Sequence, residues 1–188
     1  GCSSLASIKI PNSVTSIGDF AFSECSNLAS SEFPNSVTSI GWGVFSCCSS
    51  LESITVNEEN TYLKTENGVL FSKDMTTLYK YPAKKNLISY EIPNSVTSID
   101  HYAFNYCSNL ARITIPNSVT SIGENAFESC SNLERIEIPD SVTEIQSSAF
   151  YNCSSLAKIE IPDSVTEIQS SAFSYCSSLA RIEISNSL

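Results

Sequence analysis

Residues 130–150 read CSNLERIEIPDSVTEIQSSAF, and variants of this phrase return along the 188-residue chain at a step of 23 residues. The proline of the phrase keeps this step at four consecutive positions: Pro93, Pro116, Pro139 and Pro162. A fixed period of about 20 to 50 residues is typical of a solenoid, in which each repeat packs only on its neighbours. The sequence therefore predicts a repeat solenoid.

One repeat contains the signals for one rung of a sheet. Ile136 and Ile138 alternate with Glu137, which predicts a short strand with one buried face. Pro139 ends that strand because proline has no N–H to donate. A turn and a second short extended segment follow, and the Ala-Phe pair before the next cysteine predicts a single helical turn.

Stacked rungs place equivalent side chains in columns about 4.8 Å apart. The leucine column predicts eight rungs: Leu5, Leu28, Leu51, Leu87, Leu110, Leu133, Leu156 and Leu179. The phenylalanine column is expected to fill the core with stacked rings: Phe22, Phe45, Phe104, Phe127, Phe150 and Phe173. Ser31 occupies an isoleucine position, so the second rung is expected to be weaker there.

The phrases I-P-x-S-V-T-x-I-G and A-F-x-x-C-S-x-L resemble those of the BspA-like (Treponema-type) leucine-rich repeat family, over nearly the whole chain. The resemblance implies a curved leucine-rich repeat solenoid with a parallel β-sheet on the concave face, and we place the short helical turns on the convex side. It also implies an extracellular or cell-surface protein linked to adhesion. The family shares no catalytic residues and no single ligand.

The repeat is interrupted between Leu51 and Leu87, which lie 36 residues apart. Residues 57–86 lack the repeat phrase and carry short β-rich runs, two of which flank Asn67–Gly68. Asn-Gly between such runs is a strong hairpin signal. We expect a two- or three-stranded β-meander that stands off the solenoid as an insert, with lysines that protect its exposed edge.

We interpret residues 1–188 as one leucine-rich repeat solenoid, with rungs in residues 1–56 and 87–188 and the β-meander between them. The chain starts and stops inside a repeat, so we interpret it as a fragment of a longer protein. It contains no signal peptide and no apolar run long enough to span a membrane. We expect no membrane insertion of this segment.

The cysteines invite a disulfide framework, since seven of the eight fall in one column: Cys2, Cys25, Cys48, Cys107, Cys130, Cys153 and Cys176. In-register neighbours on adjacent rungs hold their Cβ atoms about 5 Å apart, whereas a disulfide needs about 3.8 Å. A single-file column also cannot converge four zinc ligands. We expect buried, reduced thiols, with Cys47 as the exception outside the column.

The sequence offers no catalytic constellation. His101 is the only histidine, and no fixed partner accompanies it, so Ser–His or Cys–His chemistry has no support. We therefore expect neither an enzyme nor a bound cofactor or metal. The net charge of −10 disfavours nucleic acid as a partner, because a phosphate backbone requires clustered lysine and arginine.

Two charged columns on the strands form the candidate ligand-binding site. The basic column consists of Arg112, Arg135, Lys158 and Arg181, and the acidic column beside it consists of Glu137, Glu160 and Glu183. These columns either neutralise each other, with each exposed pair contributing about 0–1 kcal/mol, or recognise a protein or polymer, as solenoid surfaces commonly do.

The leading functional hypothesis is a non-enzymatic cell-surface binding or adhesion module that recognises a protein or a host matrix component through its concave face. A structural spacer that projects another domain is an alternative, because residues 138–150 and 161–173 are identical and offer no distinctive surface. A second alternative is carbohydrate binding by the tyrosine- and lysine-rich meander in residues 57–86.

Overall fold

The computed structural model describes residues 1–184 and consists of two rows of short parallel strands with a meander between them. The first row has one strand per repeat: β1 (Ser7–Lys9), β3 (Ser30–Phe33), β5 (Ser53–Val56), β9 (Ser89–Glu91), β11 (Arg112–Thr114), β13 (Arg135–Ile136), β15 (Lys158–Ile161) and β17 (Arg181–Ile184). The second row comprises β2 (Ser16–Ile17), β4 (Ser39–Ile40), β10 (Ser98–Ile99), β12 (Ser121–Ile122), β14 (Glu144–Ile145) and β16 (Glu167–Ile168). The meander comprises β6 (Leu63–Glu66), β7 (Val69–Ser72) and β8 (Thr77–Lys80).

The eight turns confirm the predicted β-solenoid with parallel sheets. Adjacent strands pair in the register that the repeat predicts, since Ile113 lies beside Ile136 and Lys158 lies beside Arg181. The isoleucines face inward and are buried, whereas the residues between them face outward. The incomplete repeat at residues 185–188 lies outside the described residues.

The aromatic column is present as predicted. Phe104, Phe127, Phe150 and Phe173 stack with successive ring centroids 5.1 to 5.5 Å apart and ring planes within 15° of parallel. The first two rungs repeat the arrangement, with 5.8 Å between the centroids of Phe22 and Phe45. Ser31 is buried, and its hydroxyl has no hydrogen-bond partner among the described residues, so this substitution costs the second rung free energy.

The outer side of each rung is a series of turns, and residues 1–184 contain no helix, so the predicted helical turns are wrong. The N–H groups of Asn125, Phe127 and Ser129 donate to carbonyls of the next rung. The intervening N–H groups of Ala126 and Glu128 donate within their own rung. A helix requires consecutive N–H groups to bond within one segment, and here the neighbouring rung takes every second one. Left-handed φ angles of 54° at Asn125 and 59° at Ser129 accompany this alternation.

The meander is built into the stack, so the expectation that it stands off the solenoid is wrong. Strand β8 pairs in parallel with β10, which places Leu78 beside Ile99, and β7 pairs antiparallel with both β6 and β8. Tyr81 lies 23 residues before Phe104 and stacks on its ring with centroids 5.3 Å apart. The third rung therefore uses β5 as its first strand, β8 as its second and Tyr81 as its ring in the aromatic column.

Strand β7 divides the core into two parts because successive side chains point to opposite faces of a strand. Leu70 packs with the core of the first three rungs, whereas Val69 and Phe71 pack with the core of the later rungs. The first row is broken at the same place, since β5 does not pair with β9. Instead, the Ile54 N–H donates to the Gly68 carbonyl at the tip of the β6–β7 hairpin (3.2 Å).

Leu87 departs from the predicted leucine column. Leu28, Leu51 and Leu110 are fully buried, but Leu87 is 42% exposed and Ile88 is 75% exposed. Both residues precede β9, which has no first-row partner on the side of β5. No rung stacks on them from that side, so the break in the row leaves them in solvent.

The third rung has no outer turn. Three positions separate Leu78 from Tyr81, where five separate Ile99 from Phe104 in the fourth rung. As a result, the outer turns of the second and fourth rungs lie directly against each other.

Two buried polar side chains replace the hydrogen bonds that the missing turn would have made. Asn105, which is fully buried, accepts the Cys47 N–H at its Oδ1 atom (2.8 Å). Lys80 is only 3% exposed, and its ammonium donates to the main-chain oxygens of Tyr102 (2.9 Å) and Asn105 (3.4 Å). Lys80 therefore does not protect an exposed edge, as the sequence suggested, but seals the junction between rungs.

The aromatic column should carry much of the folding free energy. Replacing Phe127 with alanine should destabilise the protein by about 3–5 kcal/mol, because a fully buried ring leaves a cavity between two stacked neighbours. The same change at Tyr175, which is 70% exposed and contacts only the edge of Tyr151, should cost at most about 1.5 kcal/mol. Urea unfolding of both variants measures the difference, and equal losses would contradict the assignment.

Candidate functional site

The predicted charged columns lie side by side on the outward side of β11, β13, β15 and β17, a surface that we call the ladder face. Arg112 is in register with Arg135, and Lys158 is in register with Arg181, so the basic residues form one continuous column. Glu137 bridges to Glu160, which continues to Glu183. The structure thus brings together all seven residues that the sequence nominated.

Ion pairs connect the two columns. Within strands, Arg135 pairs with Glu137 (2.5 Å) and Arg181 pairs with Glu183 (2.8 Å). Lys158 bonds to two carboxylates, Glu160 on its own strand (2.7 Å) and Glu183 on the next (2.6 Å). These pairs exist because the strand register stacks like charges on one another, and each carboxylate column needs adjacent cations to offset that repulsion.

Arg112 differs from the rest of the basic column. Among residues 1–184 it forms no ion pair, since Thr114 stands where the later rungs carry a glutamate. It lines an open depression of about 530 Å³ together with Arg135 and Glu137. A second depression of about 510 Å³ lies further along the face, between Glu137 and Asp163. The ladder face therefore offers shallow, charged, solvent-open ground and no enclosed pocket of substrate size among the cavities found in the described residues.

The cysteine column is part of the rung-to-rung bonding. All eight cysteines are free, and buried thiols donate to the main-chain oxygen of the aromatic residue in the previous rung. Cys130 donates to Phe104 (3.1 Å) and Cys153 donates to Phe127 (3.1 Å). Burial raises the pKa of Cys48 to about 11 and also raises the pKa of Cys153, which makes these thiols poor nucleophiles. Cys2 is exposed, so it departs from the buried column.

The sequence did not single out the aromatic cluster on the outer side of the junction. The rings of Trp42 and His101 lie 5.0 Å apart, and Phe20 meets Tyr102 edge-on at 5.5 Å. Gly43 lies beneath the second pair at a φ of 57°, where a Cβ atom would come within 2.5 Å of the Phe20 ring. These contacts join rungs that are not consecutive, so the periodicity gave no signal for them.

The remaining chemistry is limited. His101 accepts the Glu124 N–H at Nδ1 (3.0 Å), and this bond holds the fifth rung against the fourth. No group of three or more histidine, cysteine, aspartate or glutamate side chains in residues 1–184 is placed to hold a metal ion. The same residues contain no helix of the length and apolar character needed to cross a membrane.

Comparison with solved structures finds bacterial leucine-rich repeat proteins. The pneumococcal vaccine antigen PcpA shares 30% identity over 98% of this chain, with a TM-score of 0.89. A leucine-rich cell surface protein of Faecalibacterium prausnitzii shares 32% identity over 99% of the chain, with a TM-score of 0.73. A leucine-rich repeat protein of Eubacterium ventriosum shares 26% identity over 94%, with a TM-score of 0.74. The chain spans 52%, 61% and 54% of the length of these three proteins, respectively.

Comparison with curated proteins finds no match. The family model described as BspA type leucine rich repeat region matches residues 1–79 and 77–188, with six copies. Because the match covers the whole chain, the protein belongs to the BspA-type leucine-rich repeat family.

Proposed function

We propose that this chain is a non-catalytic binding module of a cell-surface or secreted protein, and that it engages a protein or host-matrix ligand through the ladder face. The observation that carries the proposal is the pair of charged columns on four consecutive rungs of a rigid sheet. Leucine-rich repeat solenoids are commonly binding scaffolds, and extended charged faces suit partners that are themselves extended. The proposal concerns this segment, since the related proteins are longer.

The related structures support a location at the cell surface. The protein of F. prausnitzii is described as a cell surface protein, and PcpA is described as a vaccine antigen. Both descriptions suit proteins that meet a host. An extracellular or surface location for this chain is accordingly part of the proposal.

The columns have polarity that a ligand can read. The ion pairs cancel charge in the rungs of β13, β15 and β17, but Arg112 at one end is unpaired. An acidic group of a ligand would meet an available guanidinium at that end, and it would not need to displace a glutamate. We therefore place the first contact with the ligand at Arg112 and expect Arg135 and Lys158 to extend it.

A structural spacer is the second candidate, and one observation favours it. Residues 138–150 and 161–173 are identical, and the hydrogen bonds between successive rungs repeat with them. A stack of identical rungs lengthens a protein without adding distinctive surface. The two candidates differ in whether charge reversal on the ladder face changes adhesion.

The carbohydrate alternative gains no support from the tyrosines of the meander. Tyr81 is fully buried between Tyr90 and Phe104. Tyr62 and Tyr79 are half-buried, and their hydroxyl groups hydrogen-bond to each other (3.1 Å). Packing therefore occupies the rings that would have to stack on a sugar.

Reversing charge at Arg112 should weaken adhesion without disturbing the ladder. Arg112→Glu breaks no ion pair, and reversing Arg112, Arg135, Lys158 and Arg181 together extends the change along the column. We expect the single variant to bind an immobilised basement-membrane extract less tightly and the fourfold variant to lose at least about tenfold in affinity, equivalent to about 1.4 kcal/mol.

A matched control separates this site from net charge. Reversing Lys64, Lys73, Lys84 and Lys85 in and after the meander changes the total charge equally but leaves the ladder face intact. If both fourfold variants, checked for folding by thermal melting, bound as well as the parent protein, the ladder face would not be the site and the spacer would be favoured.

The ion pairs of Lys158 should be visible in an acid titration. Hydrogen bonds and charge from Lys158 lower the pKa of Glu160, so the pair adds stability at pH values above the unfolded-state pKa and loses it as pH falls through the folded-state pKa. In Lys158→Met the pKa of Glu160 should rise toward its ordinary value, measured by NMR of the carboxyl carbon. Lys64→Met should leave it unchanged, and an unshifted pKa in Lys158→Met would refute the pairing.

A further inference from the structure

Three polar side chains from three successive rungs meet at the shortened junction. They are Lys80 on β8, Asn105 in the outer turn of the fourth rung and Glu128 in that of the fifth. Lys80 and Asn105 are buried, and Glu128 is half-buried. The ion pairs found among residues 1–184 do not include Lys80. Its ammonium donates only to the main-chain oxygens of Tyr102 and Asn105. A buried amine without a carboxylate partner therefore lies beside an asparagine.

Two hydrogen bonds fix the orientation of the Asn105 carboxamide. Its Oδ1 atom accepts the main-chain N–H of Cys47 (2.8 Å), and its Nδ2 atom donates to Glu128 Oε2 (2.9 Å). A main-chain N–H can only donate, so the atom that faces Cys47 is the carbonyl oxygen. The carbonyl is thus polarised by a fixed donor, and the amide nitrogen is held by a carboxyl group.

The protonation states in this cluster suit attack on the amide. Burial lowers the pKa of Lys80, because a low-dielectric environment disfavours the ammonium form. Burial also raises the pKa of Glu128, although Lys80 and the hydrogen bond from Asn105 oppose that rise. A neutral amine can act as a nucleophile, and a protonated carboxyl group can supply a proton to a leaving nitrogen.

We propose that Lys80 and Asn105 join in an intramolecular isopeptide bond. The Nζ electron pair of the neutral Lys80 amine attacks Cγ of Asn105, and the Cys47 N–H stabilises the negative charge that develops on Oδ1. Glu128 accepts a proton from Nζ and delivers one to Nδ2. The Cγ–Nδ2 bond then breaks and ammonia leaves. One amine and one carboxamide become one secondary amide and ammonia, so no oxidant, reductant or second substrate is needed.

The geometry requires only a local change. Nζ lies 3.4 Å from the main-chain oxygen of Asn105, and Cγ belongs to the same residue. Attack requires Nζ to turn from that oxygen toward Cγ, which is a change in the outer torsions of one lysine side chain, until the reacting atoms are about 3–3.5 Å apart. The bond would tie β8 to the fourth rung, at the point in the stack where the outer turn is missing.

The mass of the intact protein tests the proposal. The purified wild-type chain should weigh less than its sequence by one ammonia, and a tryptic digest should contain the segment with Lys80 joined to the segment with Asn105. Lys80→Arg and Glu128→Gln should both restore the sequence mass, since arginine does not act as the nucleophile and glutamine does not transfer the proton. Lys64→Arg, a change at an exposed lysine of the same meander, should leave the mass deficit intact.

One competing reaction has the same mass. Asn67 and Gly68 are adjacent in the β6–β7 turn, and closure of Asn67 to a succinimide would also release one ammonia. Fragment spectra distinguish the two reactions, because only the isopeptide bond gives a branched peptide. A wild-type mass equal to that of the sequence would overturn the proposal, and so would a deficit that maps to Asn67 or persists in Lys80→Arg. The primary measurement uses the wild-type protein and so does not depend on whether a variant folds.

Discussion

The hydrogen bonds that each rung donates to the next one determine nearly everything else in this molecule. On the outer side, Phe104 donates to the carbonyl of Ala126 and Phe127 donates to that of Ala149. These bonds hold the register at one repeat, so each side chain meets its equivalent above and below. The stacked rings, the thiol hydrogen bonds and the charged columns follow from that register. The charge pattern of the ladder face is therefore first a consequence of the fold, and its ion pairs offset the repulsion that stacking creates.

The sequence predicted the columns because the step is constant and the sheet tolerates no slip. A shift of one residue would move Ile136 and its equivalents from the core to solvent. The helical turns were predicted wrongly because the signal was local, whereas half of the N–H groups in that segment bond to another rung. The same limitation affected Lys80 and Asn105, whose partners come from different rungs and depend on a turn that is missing.

The meander combines both cases. Its hairpin was evident from Asn67–Gly68, and the place of Tyr81 in the aromatic column could have been read from its spacing to Phe104. What the spacing could not give is the strand order, in which β8 joins the second row and β7 divides the core. At the ladder face, the sequence supplied all seven residues, and the absence of a carboxylate beside Arg112 was already visible as Thr114. The contact of Lys158 with two glutamates required the structure.

The central claim is that the meander is a rung of a continuous stack, and amide hydrogen exchange tests it most directly. The Asp100 N–H donates to Leu78, and the Tyr81 N–H donates to Ala103. The equivalent bonds between the fourth and fifth rungs are those of Gly123 to Ile99 and of Phe104 to Ala126. We predict that Asp100 and Tyr81 exchange as slowly as Gly123 and Phe104 under native conditions. Exchange of Asp100 and Tyr81 that is orders of magnitude faster would contradict the account and would indicate a meander that opens independently of the solenoid.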